Sequence, residues 1–459
     1  MLAVLAGAMI IALVTTLIVS SSGPTGPRPA TGPVIVAAGP VLTAYPPTSV
    51  PLPTTAGLTK ALAGPLKQAN LGTHVSVEVA DMATGKLLYG HGATSPTTPA
   101  STMKLATTLA VLATRGASYR ITTHVVAGPL PGEVVLVGAG DPTLAATSDP
   151  TYAEGPSMAQ LANQVKQSLG GIKPTKLIID TSLFPGPTKG PLWEESDVES
   201  QYLTRVYALT SDGGRINPSN RGDSPRYRDS ATGAGAVFAK DLGLPASAVT
   251  AGKAARTPAV GAPKTTPGAV LGSVQSAPLG RIIEDMLTNS DNMLAEFMAR
   301  QVALATGYPA SFAGASAAVT HELTKLGIPM QGAHIVDGSG ISHLDRLTPA
   351  LLTAILAYAS SPAHPAFHAM FTGFPVAGYS GTLANRFRTK GTTDAVGMLR
   401  AKTGTLNFTN ALAGYVIDES GRPLILVVLL DKTPWTGART AVDKIGAAVR
   451  ACGCGTPAG

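Results

Sequence analysis

The chain has 459 residues, of which only 13% are charged, whereas glycine (51) and proline (37) are abundant; its formal charge is +7. The length admits two or three domains, and sparse charge with heavy Gly/Pro use points to an extracytoplasmic protein with a loop-rich or tethered part. The positive balance suits an anionic surface such as a cell wall or membrane, but no Lys/Arg block with interleaved aromatics speaks for nucleic acid. Residues 2–19 are an uncharged apolar run. At 1.5 Å per residue they make ~27 Å of helix, about one hydrocarbon core. Residues 1–22 therefore read as a signal anchor or signal peptide. No Lys or Arg precedes the run to orient it, and Val36-Ala37-Ala38 is a poor cleavage site. Residues 23–54 hold nine prolines and one charge, Arg28. Such a tract cannot pack a core, so 23–55 is expected to be a semi-extended spacer.

A helix is expected from Leu58. His74–Val79 alternates as a half-buried strand, and Lys86–Tyr89 returns as the second arm of a hairpin. Pro99 closes a loop, and Ser101 opens an apolar helix to about Leu112. Residues 116–271 change character: short strand candidates (Ile121–Val126, Val134–Val137, Leu177–Ile179), a helix at Ser157–Leu169, and Gly/Pro-rich turns. Helical spacing resumes at Leu279–Leu287 and Met293–Leu304. Strands are predicted at Leu412–Val416 and Leu424–Leu430, and an amphipathic helix at Ala441–Val449. A disulfide between Cys452 and Cys454 across one glycine is strained, and two thiols without nearby His make no zinc site. They read as a feature of a tail at 453–459.

Three short motifs stand in order: Ser101-Thr102-Met103-Lys104, Ser290-Asp291-Asn292 and Lys402-Thr403-Gly404. Ser101 and Lys104, three apart, share one helix face. A serine hydroxyl is a poor nucleophile until a base takes its proton. Lys104 qualifies once its ordinary value of ~10.4 is brought about 3 units down by burial and nearby cations. Free N–H groups in the first helical turn favour negative charge at Ser101. Ser290 is placed to relay a proton from Lys104, and Asn292 to hold a substrate amide. Asp291 reads as the N-cap of the next helix. Lys402 offers a fixed positive charge, Thr403 a hydroxyl, and Gly404 room for a substrate backbone. The N–H groups of Ser101 and Thr405 would form an oxyanion hole. The long gap between Lys104 and Ser290 exceeds any ordinary connection, so inserted structure is expected there.

These motifs resemble those of the class C low-molecular-mass penicillin-binding proteins, the D-alanyl-D-alanine carboxypeptidase/endopeptidases of the penicillin-binding protein 4 type. The stretches Gly138–Leu144, Asp337–Ser342, Phe374–Gly378, Ser380–Leu383 and Arg400–Leu406 look like that family as well. The resemblance, over roughly 58–450, implies an α+β, β-lactamase/transpeptidase-like fold: a five-stranded antiparallel sheet with helices, an all-helical lobe, and a large insert. It divides the chain into 56–115, an insert at 116–271, and 272–452. It implies a serine DD-peptidase, needing no metal or organic cofactor, that acts on peptidoglycan stem peptides and is acylated by β-lactams. Its site would comprise Ser101, Lys104, Ser290, Asn292, Lys402, Thr403, Gly404 and Thr405. It implies work in the cell wall or periplasm, secreted or held to the membrane through residues 2–19 if these are uncleaved.

Rival assignments have weaker support. A serine β-lactamase or esterase of the same fold shares the first motif, but no glutamate motif stands ready to activate a deacylating water. A non-catalytic wall-binding scaffold has no use for Ser101, Lys104, Ser290, Asn292 and Lys402 together. Gly378-Tyr379-Ser380-Gly381-Thr382 nearly matches the α/β-hydrolase elbow, with Thr382 in place of the last glycine. Zinc peptidases need a His-Glu-x-x-His that is absent from this sequence. Arg221-Gly222-Asp223 matches an integrin-binding tripeptide, but in Gly-Asp-Ser-Pro context it reads as a turn.

Overall fold

The computed structural model describes residues 50–198 and 201–455. Residues 2–19, expected as an anchor or leader, and the spacer up to residue 49 lie outside the described residues. Among the described residues no helix is long and apolar enough to cross a membrane.

The chain enters through α1 (Thr55–Leu62), forms a hairpin of β1 (His74–Asp81) and β2 (Leu87–His91), and passes a 3-10 turn (Ala100–Thr102) into α2 (Met103–Arg115). It then departs into a second body: β3 (Thr122–Ala127), β4 (Glu133–Val137), α3 (Met158–Ser168), β5 (Lys176–Asp180), the short α4 (Glu195–Val198), α5 (Ser230–Leu242), β6 (Val249–Ala251) and β7 (Val270–Gln275). It returns through α6 (Leu279–Thr288), α7 (Asn292–Thr306), α8 (Phe312–Lys325), α9 (Pro349–Ser360) and the short α10 (Ala369–Thr372). The strands β8 (Leu399–Leu406), β9 (Thr409–Ile417) and β10 (Pro423–Asp431) then complete the first sheet, and α11 (Ala438–Arg450) closes the fold.

The first sheet has the order β2-β1-β10-β9-β8, with every neighbouring pair antiparallel. Its central strand, β10, is an unbroken apolar run because helices cover both faces. Side chains alternate between them: Ile425, Val427 and Leu429 join the core under α2, α7 and α9, while Leu424, Leu426, Val428 and Leu430 meet α1 and α11. The same cover corrects the expectation for β1. Of its polar alternates His74 stays exposed, but Ser76 and Glu78 are buried, and burial pushes the Glu78 carboxyl up to about 7.

The insert is built on a second five-stranded sheet, β6-β5-β4-β3-β7. Here β4–β5 and β5–β6 are parallel, and the pairings of β3 with β4 and β7 are antiparallel. Leu161 and Val165 of α3 and Phe238 of α5 cover the face that carries Val134, Leu136 and Leu177. Pairing with β3 carries β7 to Gln275, past the expected limit at 271.

The expected tail starts as a strap rather than a free end. Cys452 is buried and disulfide-bonded to Cys454. Thr54 N donates to Cys454 O at 3.2 Å, and Pro53 bridges to Gly455.

Candidate active site

The first sheet and its helices bring three places together: the head of α2, the α6–α7 junction, and edge strand β8. Ser101 lies half-buried in the 3-10 turn ahead of α2. The turn is tight. Ala100 sits at φ 45°, a conformation that costs a non-glycine residue about 1–3 kcal/mol unless its surroundings hold it. Thr102 Oγ1 donates to Pro99 O at 2.6 Å, and Gly340 packs against the Ala100 carbonyl so closely that a β-carbon there would strike it. One turn on, Lys104 is fully buried. Its Nζ donates to Ser101 Oγ at 2.8 Å, Asn292 Oδ1 at 2.7 Å and Ser339 O at 2.8 Å. Those three acceptors use all three ammonium protons. Burial lowers the Lys104 pKa to about 8, against the pull of Asp337, Asp291 and Glu296.

Between α6 and α7 the chain turns sharply through Ser290 at φ 59°. The Ser290 side chain is half-buried, and its hydroxyl has no protein hydrogen-bond partner among the described residues. Asp291 caps α7, as expected, by accepting from Leu294 N at 3.1 Å. It also does more than cap. Its Oδ2 accepts from Tyr152 Oη at 2.9 Å and from Arg215 Nη2 at 3.0 Å, with Arg226 at 3.9 Å. Burial alone would push the Asp291 carboxyl up; Arg215, Arg226 and the Leu294 N–H outweigh it and hold the group well below the usual carboxylate range. Asn292, expected to face substrate, is bonded directly to Lys104, and its Nδ2 donates to Tyr202 O at 3.3 Å. One of its two amide protons remains uncommitted.

Lys402, Thr403, Gly404 and Thr405 lie on β8, at the sheet edge. Ala401 N donates outward to Pro375 O at 3.1 Å. Backbone groups two residues apart on a strand point the same way, so the N–H groups of Thr403 and Thr405 also face outward from the edge. Lys402 is fully buried, and its Nζ donates to Thr403 O at 2.8 Å. Burial, and then the neighbouring Lys104, push its pKa well below the ordinary lysine value. Thr403 Oγ1 donates to Thr382 Oγ1 at 2.7 Å. Gly404 differs from its expected part. The space its missing side chain leaves is taken by the turn that carries Ser101: a β-carbon there would lie 2.8 Å from Pro99 O and 3.1 Å from Ala100 Cβ.

Sequence reasoning assigned no role to the groups behind Lys104. The Asp337 carboxylate accepts from Ser339 N at 3.0 Å, Gly340 N at 2.6 Å, Ser342 N at 2.7 Å and Trp193 Nε1 at 2.9 Å. Glu296 accepts from Gly338 N at 3.0 Å and pairs with Arg300 at 3.1 Å. Together these fix the loop whose Ser339 carbonyl receives Lys104. The run Asp337-Gly338-Ser339-Gly340 was the available signal, since an aspartate before small residues gathers following N–H groups. Trp193, Tyr202, Tyr152 and Arg215 come from the insert and left no such mark. Elsewhere, Ser380 Oγ accepts from Val376 N at 3.0 Å in a turn beside the antiparallel sheet, which is no α/β-hydrolase elbow. Arg221 lies on an exposed bend, paired with Asp149 at 3.2 Å.

The arrangement couples a hydroxyl to a buried amine of lowered basicity, beside an edge strand with outward N–H groups and a second buried amine. The model of the D-Ala-D-Ala carboxypeptidase 3 (S13) family matches residues 58–251 and 221–450. Carboxypeptidase DacB of Mycolicibacterium smegmatis is 39% identical over 410 residues, covering 88% of this chain and 86% of that protein. A carboxypeptidase of Mycobacterium tuberculosis is 40% identical over 410 residues with the same coverage, 88% and 86%. The crystal structure of penicillin binding protein 4 from Haemophilus influenzae matches in fold, with a TM-score of 0.66 and 20% identity over 86% of this chain and 98% of that one. The chain belongs to the D-Ala-D-Ala carboxypeptidase 3 (S13) family and is a serine DD-peptidase.

Proposed function

We propose that Ser101 is the nucleophile and Lys104 its base, acting on stem peptides of peptidoglycan. Neutral Lys104 takes the Ser101 Oγ proton as Oγ attacks the carbonyl between two D-alanines. The N–H groups of Ser101 and Thr405 hold the resulting oxyanion. Collapse breaks the peptide bond, and the proton passes from Lys104 through the Ser290 hydroxyl to the leaving amine. Lys402 and Thr403 hold the terminal carboxylate, which restores the Lys402 ammonium that burial alone disfavours. The uncommitted Asn292 amide proton positions the substrate backbone, and Gly404 lets β8 lie against the nucleophile turn. Water then hydrolyses the ester and frees Ser101. Where the leaving amine belongs to a cross-bridge, the same steps make an endopeptidase.

The observation that carries this assignment is the Lys104 ammonium bonded at once to Ser101 Oγ, Asn292 Oδ1 and Ser339 O. Labelled penicillin should attach covalently to the wild type and not to Ser101→Ala; labelling of the variant overturns it. Among the described residues no carboxylate hydrogen-bonds Ser101 or Lys104, which favours a long-lived penicilloyl-enzyme over a β-lactamase. The protein works outside the cytoplasm. The apolar run 2–19 and the Pro-rich 23–55 support a membrane tether with a spacer.

A further inference from the structure

Beyond Thr405 the chain runs into an exposed aromatic pair. Phe408, in the turn between β8 and β9, is 57% exposed, and Trp435, in the loop between β10 and α11, is 74% exposed. Their rings meet edge to face with centroids 5.8 Å apart. Both loops are fixed. Thr433 N donates to Phe408 O at 3.0 Å, and Asn410 Nδ2 donates to Thr433 Oγ1 at 3.1 Å. Gly437, at φ 85°, lies so close to Asn70 that a β-carbon there would strike its amide. Phe408 itself sits at φ 61°, where hairpin turns ordinarily take glycine, asparagine or aspartate. A large apolar side chain kept in that backbone and left in solvent adds little burial to the fold, and contiguous exposed apolar groups mark contact sites.

The proposed mechanism supplies the occupant. With the terminal carboxylate at Lys402 and Thr403 and the scissile carbonyl at Thr405 N–H, the substrate runs antiparallel to β8, and its amino-terminal part continues towards Phe408. Three residues of chain, at most about 11 Å, separate Thr405 from Phe408. At one stem residue per strand residue, the pair faces the third residue upstream of the one carrying the scissile carbonyl. In a pentapeptide stem that is the first residue, which is joined to the muramyl sugar. A pyranose ring presents C–H groups on one face, apolar and weakly positive, which suit the negative face of an aromatic ring. Asn407 and Thr436, exposed and next to the pair in sequence, can bond its hydroxyl and acetamido groups.

A lipid surface is the other occupant that exposed aromatics suit. The described chain begins at Val50, whose carbonyl accepts from Arg422 Nη1 at 3.3 Å, and Arg422 also pairs with Asp81. Asp81 ends β1, whereas the aromatic pair stands near Asp431, opposite His74 at the start of that strand. The length of β1, roughly 23 Å at ~3.3 Å per residue, thus separates the pair from the point where the preceding residues join.

We propose that Phe408 and Trp435 form a ledge that stacks on the N-acetylmuramyl sugar carrying the stem peptide, so that muropeptides are selected over free peptides. The proposal rests on the substrate direction given by the function proposed above.

The test compares one pentapeptide ending in D-Ala-D-Ala, free and carrying N-acetylmuramic acid, on the full-length protein. The muropeptide should have a kcat/KM about fivefold or more higher, through a lower KM, and Trp435→Ala should bring it down to the value of the free peptide. Equal kcat/KM on the two substrates in the wild type, or a preference that survives in Trp435→Ala, overturns the proposal. Acylation of the variant by penicillin at the wild-type rate certifies its fold. Should it not fold, acrylamide quenching decides on the wild type. Of the two tryptophans Trp193 is buried, so quenching reads Trp435, and the muropeptide should protect it where the free peptide does not. Protection by both alike, by neither, or by phosphatidylglycerol vesicles in place of the muropeptide overturns the ledge. Turnover that persists in Ser101→Ala counts against the proposed function, and the quenching comparison then judges the ledge by itself.

Discussion

At the scale of single residues the proposed mechanism rests on two buried lysines with different tasks. In that mechanism Lys104 must be neutral to accept the Ser101 proton, and its pKa is lowered to about 8. At pH 7 roughly one molecule in ten is ready, a cost of about 1.4 kcal/mol. Acylation by penicillin should therefore rise about tenfold per unit of pH from 6 to 7 and level off above about 8. Stopped-flow acylation rates measure this directly, and a rate flat across pH 6–8 would remove Lys104 as the base. The proposed role of Lys402 instead requires it to be charged when substrate is bound. Lys402→Ala should cost ~1–3 kcal/mol, the range for a charge-assisted bond, on peptides ending in a free carboxylate. Amidated peptides should lose much less in kcat/KM; an equal loss on both would place the terminal carboxylate elsewhere.

At the scale of elements, the proposed mechanism needs β8 to lie close against the turn before α2. Gly404→Ala would put a β-carbon 2.8 Å from Pro99 O and 3.1 Å from Ala100 Cβ. Neither backbone can yield without moving Ser101, and misplacing a reacting group by about 1 Å can cost 10²-fold. The variant should acylate at least tenfold more slowly while keeping its thermal transition within a few degrees, read by calorimetry. Much of this geometry was legible beforehand. The serine and lysine lie one helical turn apart, Leu412–Val416 and Leu424–Leu430 read as strands, and Leu279–Leu287 and Met293–Leu304 repeat with helical spacing. The helices α8 and α9 were not read. In α9 the run Leu351–Leu356 lies between the sheet and α2 and is apolar on nearly every side. A helix covered all round loses the one-sided stripe by which helices are recognised. The bond between Asn292 and Lys104 left no trace in the sequence, because the two lie 188 residues apart and no local pattern records such a pairing.

At the scale of the whole molecule, the insert grips both supports of Lys104. Trp193 holds Asp337 and hence the Ser339 carbonyl, and Tyr152, Arg215 and Arg226 hold Asp291 immediately before Asn292. These contacts join residues 144, 139, 76 and 65 apart in sequence, so only folding reveals that the inserted sheet and the catalytic core support one site. The Asp291 carboxyl is held well below its unfolded value. Its interactions thus stabilise the fold above the unfolded carboxylate value of ~3.9, and that contribution is lost as pH falls through the lower folded value. Arg215→Met removes the nearest countercharge and leaves a buried carboxylate paired only with the more distant Arg226. Breaking such a pair costs about 3–5 kcal/mol, so the variant should unfold at lower denaturant than the wild type at pH 7. Acidification should narrow the gap below pH ~4, because protonating Asp291 weakens the wild type while relieving the variant. Denaturant titrations at pH 7 and pH 3 test this, and a gap that is absent at pH 7 or wider at pH 3 would show that the insert's hold on Asp291 does not stabilise the fold.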